Sequence, residues 1–356
     1  MSECRSEVCE IVSIFKLEGS DFLEVCQVKG WNCVVRKGVY SKGQKCLYVP
    51  IDSMLPENLE EKLFKGAKVK LKNGRIKTLK LRGAISQGLV VDLKEVGLEN
   101  KPVGYDATDK LGIKKYEPPP PGFQSFGGKT KRQKKENPLF HKYTDIQNIK
   151  NYPNAFEPDE IVICTEKLHG CNSRFSWVEV SSPSFIRKIL MKFSDKYKWE
   201  YIVGSHNIQL QEVGENVYCK IAKKYNLKSK LKFGESLYGE IIGPKIQKNY
   251  EYGQAESILV VFDIKINGVY LPFDDMKKRV EELGLSFVPE LWRGKFKDID
   301  FNKLISGNSL FCSKQKVIEG TVIRPEKEIN HYKIGRKILK YINPEYLLKD
   351  DTTEYH

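Results

Sequence analysis

The chain has 356 residues, 40% of them hydrophobic, enough for one large or two ordinary domains with their own cores, and two are expected. Lysine and arginine number 60 against 46 acidic residues, a net charge of +14 that favours a polyanionic partner, because a basic surface concentrates phosphate backbones and releases their counterions. Nine cysteines with no CxxC pair argue against a disulfide framework or zinc site, the start Met1–Glu7 lacks a secretory pattern, and no apolar stretch reaches the roughly 18 residues of a membrane span. A soluble intracellular protein without a membrane partner is expected, with cytoplasm and nucleus both open.

From Cys9 to about Leu93 short β-rich runs alternate with glycine and polar turns: Glu10–Phe15, Asn32–Val35, Lys45–Pro50 and Gly88–Leu93. This spacing predicts a small β-barrel or sandwich, with one helix around Glu57–Phe64. An OB-type barrel fits the size and a nucleic-acid role. Four prolines, Pro118 to Pro121, three glycines and the basic run Lys129–Lys135 follow. Such a segment cannot build a packed core, so 116–142 reads as a linker. The basic run suits a phosphate contact, a nuclear-import signal or a merely solvated linker. From Tyr143 strands and helices mix: Val162–Thr165, Ser257–Ile264 and Gly320–Ile323 are β-branched runs, and Asp274–Leu283 has helical spacing. The fold class expected is α+β: an OB-type barrel in 1–115, and in 143–356 a domain of antiparallel sheets flanked by helices.

Lys167 follows the Val162–Thr165 strand and precedes Leu168-His169-Gly170, where a strand gives way to a turn and can present a side chain to a pocket. A lysine there becomes a nucleophile if burial and neighbouring cations lower its pKa from about 10.4; alone, a plain surface lysine is the better reading. Glu240 in Leu237–Gly243 and Glu319 in Val317–Arg324 each place a carboxylate in an apolar, glycine-flanked strand, where it faces outward or needs a cation, a hydroxyl or a metal. Phe262, followed by Asp263, is either core filler or a stacking surface for a base. Arg336–Ile342 alternates cationic and apolar residues, so Lys340 either reaches a phosphate or faces water on an edge strand.

In order, these elements resemble motifs I, III, IIIa, IV and V of the covalent nucleotidyltransferase superfamily of DNA ligases, RNA ligases and capping enzymes. Glu166-Lys167-Leu168-His169-Gly170-Cys171-Asn172 resembles the RNA-ligase variant, with His-Gly where DNA ligases usually have Asp-Gly. Gly43–Pro56, Leu81–Leu89 and Tyr143–Ile146 resemble the ATP-dependent RNA ligases that carry an N-terminal OB module and seal 3′-hydroxyl and 5′-phosphate ends. The resemblance implies an ATP-grasp-like adenylyltransferase domain and the joining of RNA ends, as in RNA repair or nick sealing, through lysyl-AMP and RNA-adenylate.

By that resemblance Lys167 is the nucleophile, Glu319 binds Mg²⁺ or Mn²⁺, and Glu240 binds the ribose hydroxyls or the metal. Phe262 stacks on adenine, Lys340 and more weakly Lys337 neutralise the α-phosphate, Asn172 bonds the nucleotide, and Glu166, Leu168 and Gly170 line its site. ATP is the AMP donor and RNA the partner of a monomer. The sequence departs from the family in three places. Ile342 replaces the second motif V lysine, an expected arginine is missing from Val203–Asn207, with His206 or Arg174 as its replacement, and the lysine-rich insert Ser181–Trp199 has no counterpart. A DNA ligase, a capping guanylyltransferase and an inactive nucleic-acid-binding protein are the alternatives.

Overall fold

The β-branched run at Glu10–Phe15 lies within a ten-residue strand, Glu7–Lys16, in a computed structural model that describes residues 4–66, 71–117, 136–210, 216–244, 246, 252–311, 317–349 and 352–354. Its register shifts between Ile11 and Ser13, so the first half pairs with Lys45–Val49 and the second with Leu23–Val28. A bulge of this kind lets one strand serve two neighbours facing different ways, which curls a sheet towards a barrel. Trp31–Arg36 pairs on the outer side of Leu23–Val28, and Leu89–Val91 on the far side of Lys45–Val49. The hairpin of Thr78–Leu81 and Ala84–Gln87 reaches the edge strand Trp31–Arg36: Ser86 Oγ accepts from the Val34 amide at 3.0 Å, and the Cys33 thiol donates to the Gln87 carbonyl. The expected helix is present at Glu57–Leu63. The described cysteines are all free, and Cys9, Cys26, Cys33 and Cys46 are buried apolar filler. Burial pushes the Cys9 thiol up to about 12 and Cys26 to about 11.

The chain divides into two compact units: Met1–Pro119 with Asp145–Glu157 and Leu339–His356, and Pro120–Thr144 with Pro158–Ile338. The run of prolines and the basic run at 129–135 lie outside the described residues. In the first unit, strand Leu339–Ile342 pairs in parallel with Gln147–Asn148. Residues 352–354 are stitched to residues far earlier in the chain. Asp52 accepts from Thr353 Oγ1 and the Glu354 amide, both at 2.8 Å, and Arg75, itself paired with Asp52, donates to the Thr352 carbonyl at 2.6 Å.

The second unit is built on an antiparallel sheet in which Cys171–Glu179 lies between Trp199–Ser205 and Glu235–Ile242, with Ile258–Ile266 beyond. Alternation along these strands sorts their side chains onto two faces. Phe175, Leu237, Ile241, Val203, Leu259 and Ile264 point to one side and form the core with helices Val217–Lys224 and Phe273–Glu282. Asn172, Arg174, Tyr238 and Glu240 take the opposite face, where Asn172 stands across from Glu240 and Arg174 from Tyr238. In the same unit Ile161–Lys167 pairs on one side with Glu290–Lys295 and on the other with Gly320–Pro325. Among the described residues no helix is long and apolar enough to cross a membrane.

Candidate active site

Strand register brings the first two candidate residues together. Lys167 is the last residue of its strand and pairs with Gly320, so Glu319, one residue before Gly320, falls beside it. Lys167 Nζ lies 2.5 Å from Glu319 Oε1. The lysine side chain keeps 15% of its surface in contact with solvent, whereas Glu319 keeps 1%. The other carboxylate oxygen, Oε2, lies 3.7 Å from His169 Nδ1 and has no hydrogen-bond partner. A buried carboxylate oxygen without a donor is costly unless a ligand completes it.

The turn after Lys167 delivers Glu240. The Gly170 amide donates to Glu240 Oε1 at 3.0 Å, and a Cβ at 170 would run into the Ile241 carbonyl and stand 2.9 Å from Glu240 Cγ. Only glycine lets the backbone come this close. The His169 amide donates to the Tyr252 hydroxyl at 2.7 Å, holding the turn from its other side, and Leu168 is buried beneath it. Burial pushes the Glu240 carboxyl up to about 8; Lys167 opposes the shift, Glu319 adds to it and the Gly170 amide opposes it. Asn172, across from Glu240, is half-buried and its Oδ1 has no hydrogen-bond partner. Glu166 points elsewhere. It is buried, accepts from the Leu310 amide at 3.0 Å, leaves Oε1 without a partner, and burial raises its pKa.

Phe262 is the extra residue of a bulge, since Tyr238 pairs with Asp263 and Gly239 with Val261. Its ring is half-buried and meets the Tyr143 ring edge-on at 4.8 Å. Asp263 faces a buried cluster: its Oδ2 accepts from the Tyr143 hydroxyl at 2.8 Å and from Arg336 at 2.6 Å, with Arg324 3.4 Å away. Arg336 also binds both oxygens of Glu328 and lies over the Tyr270 ring at 3.7 Å. Asp263 thus locks the strand that carries Phe262.

Lys337 pairs with Glu160 at 2.6 Å. Lys340 belongs to the first compact unit, where it is buried, donates to the Glu354 carbonyl and lies 3.6 Å from the Glu354 carboxylate; Asn148 holds the other carboxylate oxygen at 3.1 Å. Arg174, a proposed replacement for the missing arginine, is buried and donates to the carbonyls of Ser205 and Phe140 at 2.8 and 2.7 Å over the Phe140 ring, so it braces the sheet.

A family model described as RNA ligase matches residues 160–342, which span every one of these candidate residues. The chain belongs to the RNA ligase family. An OB-fold domain model matches residues 6–93 of the ligase, the part built on the bent Glu7–Lys16 strand. Among solved structures, a mutant of the Naegleria gruberi RNA ligase with ATP and Mn is similar at 25% identity over 98% of this chain and 99% of that one, with a TM-score of 0.77. Another mutant of the same Naegleria enzyme, without ligand, gives 25% identity, 98% of both chains and 0.76. A further mutant with AMP and Mn has the same fold at 24% identity, covering 98% of this chain and 100% of that one, with a TM-score of 0.77. No curated protein matches the sequence as a relative.

The fold of the RNA ligase is therefore the expected one, an OB-fold followed by a sheet-rich nucleotidyltransferase domain. Lys167 and Glu319 meet at the end of one sheet, the Gly170 amide ties the following turn to Glu240, Asn172 stands across from Glu240 on the second sheet, and Phe262 lies on a neighbouring strand of that second sheet. The sequence reading gave no role to His169, Tyr252 or the Asp263–Arg336–Tyr143 cluster. His169 lies between Lys167 and Gly170 and was open to inference from that place. Tyr252 and Arg336 are 83 and 73 residues from their partners, and nothing local marks them.

Proposed function

We propose that this RNA ligase is ATP-dependent and joins 3′-hydroxyl and 5′-phosphate RNA ends through a lysyl-AMP intermediate, as a monomer acting on nicked duplexes or RNA ends in RNA repair or nick sealing. The observation that carries the reading is the contact between Lys167 and Glu319, made by strand register beside a second buried carboxylate. Lys167 must surrender a proton before its lone pair attacks the α-phosphorus of ATP and expels pyrophosphate, and Glu319 Oε1, 2.5 Å away, is the acceptor in reach. AMP then passes to a 5′-phosphate, and the 3′-hydroxyl displaces it. Each displacement is in line, so the protein supplies alignment and charge.

The residues fit a divalent cation. Glu319 Oε2 has no hydrogen-bond partner, and the Glu240 carboxyl is raised by burial and further by Glu319, so these two carboxylates would hold a cation that offsets their charge. A hard cation of this kind keeps waters and substrate phosphate oxygens among its ligands. Such an ion, Mg²⁺ or the Mn of the Naegleria complexes, would neutralise the α-phosphate. The half-buried Phe262 ring offers a face to adenine, Asn172 Oδ1 accepts from the nucleotide, and Glu166, Leu168 and Gly170 shape the turn beneath it. We assign RNA binding to residues 1–115 and catalysis to residues 143–356, of which 145–157 and 339–356 pack with the first unit, while the described residues 136–142 belong to the second.

The test is incubation with radiolabelled ATP and Mg²⁺ or Mn²⁺, followed by denaturation. A labelled polypeptide is expected for the natural chain and none for Lys167→Ala. Label that survives this substitution, or label taken from GTP instead, overturns the reading.

A further inference from the structure

Phe262 owes its direction to a bulge. Side chains alternate along a strand, so neighbours such as Phe262 and Asp263 ordinarily face opposite ways. Here Tyr238 pairs with Asp263 and Gly239 with Val261, and the extra residue breaks the alternation. Tyr143 meets both neighbours: its hydroxyl donates to Asp263 Oδ2 at 2.8 Å, and its ring lies 4.8 Å from the Phe262 ring with 65° between the planes. A bulged residue is left out of the strand ladder, and buried Arg324 supplies the Phe262 carbonyl with a donor at 2.9 Å. Tyr143 is itself immobilised. It is buried, the rings of Tyr238 and Tyr270 stand 5.2 and 5.9 Å from its own, and Arg336 donates to its hydroxyl at 3.1 Å. The segment that brings it, 136–144, is tied across the sheet face that carries Arg174 and Tyr238. The Asn137 amide donates to Gln209 at 2.7 Å, Arg174 to the Phe140 carbonyl at 2.7 Å and the Tyr238 hydroxyl to the His141 carbonyl at 3.3 Å. Gly204 makes the room, since a Cβ there would stand 2.7 Å from the Phe140 ring.

We infer that Tyr143 is a positioning residue for the nucleobase: it holds the Phe262 ring in the orientation that receives adenine. A half-buried phenylalanine on a bulge is fixed neither by the ladder nor by a packed core, and its ring takes its direction from what it leans on. Tyr143 is the rigid neighbour it leans on, tethered at its hydroxyl and boxed in by two further rings. An edge-on pair of rings leaves at least one face of Phe262 clear of Tyr143, and that face is the one open to a base. Setting the ring before the nucleotide arrives removes its ordering cost from binding, so Tyr143 strengthens recognition of the base without touching it. The polyphosphate takes no part in this contact. A tyrosine that merely supported the domain would affect the base and the polyphosphate alike, and that difference separates the two roles.

This inference rests on the ligase reading, with Phe262 stacked on adenine, and the test separates the two. Binding of ATP and of inorganic triphosphate, which has no base, is measured by calorimetry with Mg²⁺ on full-length chains that carry Lys167→Ala, so that no transfer intervenes. F262L is expected to weaken ATP binding about ten-fold and Y143L about five-fold. Y143L/F262L is expected to bind ATP no more weakly than F262L alone, because Tyr143 acts through that ring. Triphosphate affinity is expected to be the same in every variant, which also shows that they fold. Y143F keeps the ring and is expected to stay within about two-fold of the parent chain for ATP. Additive losses in the double variant, full ATP affinity in Y143L, or equal losses of ATP and triphosphate overturn the inference. Y143M stands in if Y143L does not fold, and loss of triphosphate binding in both marks Tyr143 as a support of the whole domain and overturns it too. Unchanged ATP affinity in F262L removes the stacking role of Phe262 and this inference with it. Absence of label on the natural chain sinks the ligase reading itself, while the binding cycle still decides the role of Tyr143.

Discussion

Glu240 gives the site a pH signature of its own. In the folded chain its carboxyl titrates near 8, whereas an unfolded glutamate titrates near 4.3. Below both values the two states hold the same proton. Between them the native chain keeps a proton that the unfolded chain has lost, so this group lowers stability progressively as pH rises from about 4.3 to about 8. Glu240→Gln cannot titrate. Thermal unfolding in EDTA should therefore show the variant gaining on the natural chain across that window and holding a constant gain above it. A gain independent of pH refutes the protonated Glu240. Lys167, Glu319 and Glu240 could be singled out in the sequence by their order along the chain, which resembles the ligase motifs, and not by any one of them alone. Their mutual distances could not be read there, since the 2.5 Å contact depends on the register of two strands about 150 residues apart.

At the scale of elements, the turn between Ile161–Lys167 and Cys171–Glu179 is the tightest point of the site. Gly170→Ala forces a methyl group against the Ile241 carbonyl, and overpacking of this kind costs about 1–3 kcal/mol. A lower melting temperature and loss of label transfer from ATP are expected together, and a variant of unchanged stability contradicts the packing described. Asp263→Ala should be costlier, because Arg336 and Arg324 lose the carboxylate they share while remaining buried; breaking such a pair costs about 3–5 kcal/mol. Denaturant midpoints measure it directly. Strand existence was readable here: alternating β-branched runs and glycine punctuation mark Glu7–Lys16, Ile161–Lys167 and Ile258–Ile266. Bulges were not. The register shifts after Ile11 and Tyr238 arise from closing the curved sheet and from the Asp263 cluster, both of which are tertiary demands.

For the whole molecule the excess of 60 basic over 46 acidic residues sets the expectation that RNA binding weakens steeply with salt. Each neutralised phosphate contributes about 0.9 to the slope of log affinity against log salt on duplex, so affinity for a nicked duplex should fall by at least about ten-fold between 50 and 200 mM. Filter binding or anisotropy across that range tests it, and a flat profile excludes a polyanion as the main partner. Composition sets this expectation, and length that of two domains. It did not foretell that residues 145–157 and 339–356 fold with the N-terminal unit, because that choice is made by parallel pairing and buried ion pairs with no local trace.

The stitching of Thr353 and Glu354 to Asp52 also bears on the order in which the chain takes shape on the ribosome. Thr353 is made 301 residues after Asp52. At about 5–20 residues per second this leaves the first module waiting roughly 15 to 60 s for its last partners, with Asp52 and Arg75 bonded to each other but lacking the backbone groups that complete them. The segment synthesised first is thus among the last to be finished, and protease sensitivity of stalled nascent chains should persist in the first module until residues 352–354 have emerged.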